Sequence, residues 1–380
     1  MIANGRRIDQ RTTTAQEGGV EWLHEHLKLN SFSPLTIDGR DPAAFAWAIF
    51  EMEEEMLAAS AAVVGGKGRY PAPLHFGVAE TIKGWGFPGA GTNRAHNLPL
   101  AANPALDAAA RAEFNRGAKA LHVTPAALAD AVQLLNNHAQ HKRPRERDHA
   151  LARRRVSPPQ MPTPPWCEVG ERVAPMDGID AYFSAIVQAN PQLRVRLGNP
   201  DELRSNRMNR TLDLLKHRVT TPETGIAESV TGAVITALNE EAVANAALAN
   251  KGGINMIVSY EAFAMKMLGG LRQEIIFARH QHESGAAPGW LGIPVMLTSH
   301  TWENGKNEQS HQDPSLAECL LGEMSDTARV IFPADWNGAL ASLSAVYNSQ
   351  GIIWACVIPK RKVANYFTPA QAQMLARDGA

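Results

Sequence analysis

Residues 298–314, TSHTWENGKNEQSHQDP, crowd His300, Glu303, Asn307, His311 and Asp313 into a short stretch with almost no apolar side chain. A histidine takes and gives protons near neutral pH, a carboxylate does the same or holds a cation, and amides with a lysine hold polar or anionic groups. The stretch follows IPVMLTS (293–299), an apolar run of the length of a buried strand. A solvated surface loop would share the polarity. Emergence from a buried strand, together with two histidines, points instead to a polar ligand or an acid/base site.

A loop of this kind needs a sheet to carry it. RVIFP (329–333) and IIWACVI (352–358) are further apolar runs bounded by turn residues, and GALASLSAVYNSQ (338–350) between them has a helical pattern. Strand, helix and strand at this spacing predict an α/β fold, with parallel sheets covered by helices on both faces. Ligands of such sheets sit beyond the carboxyl ends of the strands, and Thr298-Ser299-His300 is one such end. Asp180 to Ala189 reads as a helix, and SYEAFAMKMLGGLRQEIIFARHQ (259–281) as one longer helix. Nearer the amino terminus, Asp41-Pro42 has the chemistry of an N-cap and first helical residue, ahead of the apolar-faced AAFAWAIFEMEEEMLAASAAVV. Leu74 to Val78 reads as a short buried strand, and KGWGFPGAGTNRAHNLPL (83–100) as an irregular loop. Residues 105–138 look helical, with a second cap-and-proline start at Thr124-Pro125.

From 138 to 175 the composition shifts. HKRPRERDHALARRR is strongly basic, and SPPQMPTPPW adds five prolines, the pattern of an extended connector. The expected organisation is therefore 1–137, a 138–175 linker, and 176–380. Across all 380 residues, 37 basic against 38 acidic side chains leave a net charge of 37 − 38 = −1, which exerts no global pull on nucleic acid or an anionic membrane. The run Arg153 to Arg155 is read as part of a solvated linker rather than a nucleic-acid patch. Cys167, Cys319 and Cys356 are far apart and form no CxxC or zinc knuckle. No stretch has the length of a signal peptide core or a membrane span. The expectation is a cytoplasmic protein with neither a membrane nor a nucleic-acid partner.

SHTW followed by SHQDP resembles the signature of the phosphoketolases, thiamine-diphosphate enzymes related to transketolase. NPDELRSNRMN (199–209), SYEAF (259–263), and IKGWG with RAHNLPL (82–100) are similar to further segments of that family, in the same order. The resemblance spans nearly the whole chain but only the middle half of the family's. It implies a thiamine-diphosphate-binding fold, here a partial diphosphate-binding domain over 1–137 and a pyrimidine-binding domain over 176–380. It also implies cleavage of a ketose phosphate with inorganic phosphate to acetyl phosphate and a shorter aldose phosphate, with thiamine diphosphate and Mg²⁺ as cofactors.

By the same resemblance Glu240 is the acid that activates the cofactor. Its neighbour Glu241 is the rival, because the spacing to SYEAF is two residues shorter than the family's. Tyr260 and Phe263 match residues lining the pyrimidine pocket, Lys83 one near the diphosphate, and His96 and His311 the catalytic histidines. Ser205, Arg207, Asn307 and Lys360 match the contacts to substrate phosphate, suited to the forked guanidinium of arginine and the point charge of lysine. Asn4 matches an asparagine that helps hold Mg²⁺ through oxygen.

Departures from the family are equally specific. Lys306 stands where the family has a histidine, Asn304 where it has glutamine, and Gly305 where it has an acid. No Gly-Asp-Gly occurs in the sequence, and that segment would supply the Mg²⁺-binding aspartate and the diphosphate cradle. It is expected upstream of Asn4, on a partner chain in a homo- or hetero-oligomer. The alternative is a non-catalytic assembly subunit or an inactive remnant.

Overall fold

The computed structural model describes residues 2–4, 19–97, 100–141, 156–303, 310 and 312–378, of which 2–4, 19 and 93 are described by backbone alone. The chain divides into two compact units, Met1–Arg143 and Pro144–Ala380.

In the first unit three parallel strands, β1 (Ile2–Asn4), β2 (Phe32–Asp38) and β3 (Leu74–Thr81), lie in the order β1-β3-β2. Helix α1 (Gly19–Leu29) precedes β2, and α2 (Pro42–Val64) makes the crossover from β2 to β3. The expected cap is present: the Asp41 carboxylate accepts from the Ala43 N–H at 2.9 Å, and Pro42 sits in the first turn, where its missing N–H costs nothing. Helices α3 (Ala108–Ala120) and α4 (Pro125–Gln140) are likewise capped by side chains, Asp107 and Thr124, and α4 also begins with a proline. Ile37, Ala48 and Ala79 form a small core between α2 and the sheet.

The second unit opens with β4 (Arg172–Val173) and is built on eight parallel strands. These are β5 (Val195–Gly198), β6 (His217–Arg218), β7 (Glu228–Ser229), β8 (Val234–Ile235), β9 (Ile254–Tyr260), β10 (Ile293–Thr298), β11 (Ala328–Ile331) and β12 (Ile353–Val357). Their order is β11-β12-β10-β9-β5-β8-β6-β7. Side chains alternate between two cores. Met256, Val258, Met296 and Cys356 face α5 (Pro175–Ala189), with α6 (Asn209–Leu215) beyond it, while Ile257, Val295, Leu297 and Ala355 face the other side. That other face is covered by α7 (Glu240–Leu248), α9 (Leu268–Glu283) and α10 (Ser315–Leu321), with α8 (Glu261–Ala264) linking β9 to α9. Helix α11 (Trp336–Tyr347) completes the first face; α12 (Pro369–Asp378) packs on it, and β13 (Val363–Ala364) pairs antiparallel with β4. Burial on both faces is why β10 and β12 read as continuous apolar runs. The parallel α/β expectation is met.

Two local expectations are corrected. Residues 259–281 are not one helix: Ser259 and Tyr260 end β9, α8 lasts one turn, Met265–Met267 is a 3₁₀ turn, and only then does α9 run. The strand expected at Leu74 to Val78 continues to Thr81. The proline-rich run from Val156 to Gly170 lies on the second unit. Three buried asparagines hold it there: Asn190 exchanges hydrogen bonds with the Gln160 backbone at 2.8 Å, Asn337 does so with Cys167 at 2.9 Å, and Asn365 donates to Cys167 O at 3.0 Å. No helix among the described residues is long and apolar enough to cross a membrane.

Candidate active site

The carboxyl ends of β5, β9, β10 and β12 converge on one edge of the second unit's sheet. β9 delivers Tyr260, whose ring is nearly buried and lies 5.9 Å from that of Phe263, tilted by 52°. The turn after β5 delivers Ser205, whose Oγ lies 2.7 Å from the Tyr260 hydroxyl, and Glu202, whose carboxylate accepts a short hydrogen bond from that hydroxyl. Burial, reinforced by the Glu202 carboxylate, pushes the Tyr260 phenol up to about 12. Glu202 and Arg207 both adopt left-handed backbone (φ 53° and 64°), an uncommon conformation for such side chains. Buried Asn206 between them holds the turn: its amide donates to Glu202 O at 2.9 Å, and its oxygen accepts a short bond from Thr298 at the end of β10.

After β12 the chain turns and places the Lys360 ammonium 4.5 Å from the centre of the Tyr260 ring, a cation–π contact. Burial pushes the pKa of Lys360 down, against the opposing pull of Glu303 and Glu202. Arg207 is turned to Asp177 on α5, with 3.0 Å between Nη1 and Oδ2. Glu240 is the first residue of α7, set by Asn239, whose side chain caps the Ala242 N–H at 2.9 Å. Its carboxylate, 13 % exposed, pairs with Lys266 at 3.3 Å, and Lys266 in turn lies 5.5 Å from the Phe263 ring centre. Glu241 is exposed and faces Gly269, where an added Cβ would come within 3.1 Å of its Oε1. Glu240 thus pairs with the lysine that lies beside Phe263, whereas Glu241 lies against Gly269.

Three groups with no assigned role are turned inward at the same edge. Glu261, 1 % exposed, accepts through Oε2 from the Thr301 N–H (2.8 Å), the Thr301 hydroxyl (2.7 Å) and the Asp313 N–H (3.1 Å). One carboxylate oxygen therefore grips both sides of the 302–312 segment. Glu303 accepts through Oε1 from the backbone N–H groups of Lys360 (2.9 Å) and Arg361 (2.5 Å). Burial raises its pKa, and those two N–H bonds partly offset the rise. His300 is 5 % exposed, has no partner for either ring nitrogen among the described residues, and is held by burial down to about 4.

In the first unit Lys83 and His96 meet, with 3.2 Å between Nζ and Nδ1. Gly84 makes this possible: it has φ +73°, and a Cβ there would come within 2.8 Å of the Ala95 Cβ, so the chain folds back only with glycine. At the carboxyl ends of β2 and β3, Arg40 forms a two-pronged pair with Asp38 (2.8 Å for each bond), holding that carboxyl down to about 2, and lies 5.1 Å over Trp85. The pair borders a cavity of about 410 Å³ that also includes Thr36, Glu80 and Thr81.

Of the residues singled out by motif, Glu240, Tyr260, Phe263, Ser205 and Lys360 come together through the contacts above, Arg207 is joined to Asp177, and Lys83 meets His96. Asn307 and His311, with Lys306, lie outside the described residues, as does the side chain of Asn4. Sequence reasoning passed over Glu202 and Glu261, although both lie inside quoted motifs. An acidic letter inside a motif carries no sign that its side chain turns inward.

The fold is of the transketolase type. Among solved structures, the transketolase of Leishmania mexicana superposes with a TM-score of 0.56 at 16 % identity, over 96 % of this chain and 51 % of its own. That of Campylobacter jejuni gives 0.55 at 14 %, over 96 % and 52 %. In sequence, residues 177–349 match the family model for D-xylulose 5-phosphate/D-fructose 6-phosphate phosphoketolase. Curated relatives include a probable phosphoketolase of Lactococcus lactis, 28 % identical over 211 residues (54 % of this chain, 25 % of the relative). Another is the xylulose-5-phosphate phosphoketolase of Lactiplantibacillus pentosus, 26 % identical over 204 residues (52 % and 26 %). The chain thus spans about a quarter of the length of the curated relatives it matches. The motifs at 199–209, 259–263 and 298–314 fall within the family match; the one at 82–100 falls outside it.

Proposed function

We propose that this chain is one component of a thiamine-diphosphate-dependent, phosphoketolase-like aldehyde-lyase that acts on ketose phosphates in carbohydrate metabolism. The observation that carries this is the Tyr260–Phe263 pair, with the Glu240–Lys266 ion pair beside Phe263 and Ser205 and Lys360 beside Tyr260. Two aromatic faces and a mostly buried carboxylate suit the pyrimidine end of the cofactor. The diphosphate and metal end is not matched: the sequence has no Gly-Asp-Gly, and the described residues contain no group of three His, Cys, Asp or Glu able to hold a metal ion. When bound, thiamine diphosphate supplies an electron sink next to a substrate carbonyl.

In this proposal the first unit is the carboxy-terminal portion of a diphosphate-binding domain, and the second is a pyrimidine-binding domain. Glu240 holds a proton at the pyrimidine ring; Ser205, Arg207, Asn307 and Lys360 bind the phosphate of the ketose; His96 and His311 move protons; Lys83 meets the diphosphate; and Asn4 contributes an oxygen to Mg²⁺. The chain forms a homo- or hetero-oligomer that includes a different chain supplying the Gly-Asp-Gly segment, and inorganic phosphate is the second substrate.

Titration calorimetry of the purified chain with thiamine diphosphate and Mg²⁺ should show no binding. Binding should appear on co-expression with a chain carrying Gly-Asp-Gly, and the assembly should then form acetyl phosphate from xylulose 5-phosphate and phosphate. Tight binding by the lone chain would remove the partner. An assembly that binds but makes no acetyl phosphate would favour the non-catalytic alternative, and activity that survives Glu240→Gln would displace Glu240 as the activating acid.

A further inference from the structure

The turn that follows β12 has no regular structure of its own to hold it, yet it carries the ammonium that lies over Tyr260. What fixes it comes from a different strand end. The consecutive N–H groups of Lys360 and Arg361 converge on one oxygen of Glu303, at 2.9 and 2.5 Å. Successive backbone N–H groups that point at one spot form a small anion-binding concavity, and here the anion is a side chain of the same protein. Glu303 itself is anchored in the short 3₁₀ turn Thr301–Glu303, where its N–H donates to His300 O at 2.9 Å, and it is 9 % exposed. Its second oxygen has no partner among the described residues.

Burying a carboxylate is unfavourable unless hydrogen bonds or cations compensate. Glu303 has two N–H bonds, with Lys360 and Arg361 close enough to act on it electrostatically. We propose that Glu303 is the positioning residue for Lys360: by occupying the 360–361 backbone concavity it sets the ammonium over the Tyr260 ring, and it places a carboxylate charge near that ammonium in a half-buried place. The proposal rests on the phosphate-binding assignment of Lys360 only for what the ammonium is used for; the geometry stands without it.

The groups acting on the Lys360 ammonium are Glu303 on the β10 side, Glu202 and Arg207 on the turn after β5, and Tyr260 beneath it. Glu303 and Glu202 favour the charged form, while burial and Arg207 oppose it. Substituting Glu303→Gln keeps an oxygen for the two N–H groups and removes the charge; Glu303→Ala removes both.

The test is competitive acylation of Lys360 with acetic anhydride across a pH series, read by mass spectrometry, together with amide hydrogen exchange of the peptide spanning 358–363. Both use the full chain and need neither cofactor nor sugar. In Glu303→Gln the amides should stay protected while the Lys360 titration moves down. In Glu303→Ala, exchange at Lys360 and Arg361 should accelerate about ten-fold, and the Lys360 titration should rise toward that of an exposed lysine. A Glu303→Gln chain whose Lys360 profile is unmoved overturns the proposal, and this arm decides if Glu303→Ala does not fold. Unchanged exchange in a folded Glu303→Ala overturns it as well. A role in packing alone would leave the Glu303→Gln profile where it was. Failure of acetyl phosphate formation would not touch these readouts, so this proposal and the functional one fall separately.

Discussion

Replacing His300 by leucine should remove much of the acid sensitivity of the second unit. The ring is 5 % exposed, and neither nitrogen has a partner among the described residues, so burial alone holds its pKa down to about 4 from the ordinary 6.5. The unfolded chain takes up a proton there below about pH 6.5 and the folded chain only below about pH 4, so between these values the unfolded state binds more protons and stability rises with pH. The ring therefore leaves stability untouched above about pH 7, erodes it through the window, and exerts its full effect below about pH 4. At about 1.4 kcal/mol per pH unit the window is worth about 3 kcal/mol, of which about 2 kcal/mol falls between about pH 7 and about pH 5. Urea unfolding of the wild type and His300→Leu across that range, followed by tryptophan fluorescence, isolates this contribution, because the difference cancels every titrating group the two proteins share. Leucine also removes two orphaned nitrogens, so the variant should be no less stable at neutral pH. Its advantage should then grow by about 2 kcal/mol on acidification. A difference that stays constant with pH would refute the account of His300 as a buried neutral base.

Other perturbations test the strand-end architecture. Glu261→Ala strands the N–H groups of Thr301 and Asp313 and should cost about 2–4 kcal/mol in urea unfolding, with Glu261→Gln recovering part of the loss. Gly253→Ala would drive a Cβ to within 1.8 Å of Arg194 O, on the path between β5 and β9, and should lower the denaturation midpoint by the equivalent of about 2–4 kcal/mol or prevent folding. Asn239→Ala removes the cap of α7 and should cost about 1 kcal/mol, with faster hydrogen exchange at Ala242, the amide it caps and two residues from Glu240.

Legibility in the sequence followed the range of the interactions. The starts at Asp41-Pro42 and Thr124-Pro125 were readable because a cap is made by neighbours in the chain. β10 and β12 were readable because burial on both faces leaves an unbroken apolar run. β9 was not. Asn255 and Ser259 interrupt it as letters, yet both are buried, Asn255 through its exchange of hydrogen bonds with Asn250 at 2.8 and 2.9 Å. Its last residues then merge into a helical pattern, which hid the boundary at Tyr260. In the site, motif resemblance found side chains by type, but the inward turn of Glu202, Glu261 and Glu303 depends on partners 58, 40 and 57 residues away. Glu240 and Glu241 were inseparable as letters. In the structure they have different neighbours, Lys266 for Glu240 and Gly269 for Glu241.

The strap from Val156 to Gly170 bears on where the chain tolerates cutting. Asn190, Asn337 and Asn365 are buried at 0 %, 0 % and 1 % exposure, and each gives amide hydrogens to that strap. A second unit trimmed to begin at Met176 would take the strap's carbonyls from those amides, leaving them only Ile186 O or Phe367 O, and each unmet N–H costs about 1–3 kcal/mol. The seam at which the two units can be parted, recombined or expressed separately therefore lies ahead of Val156, and the prolines travel with the sheet they fasten.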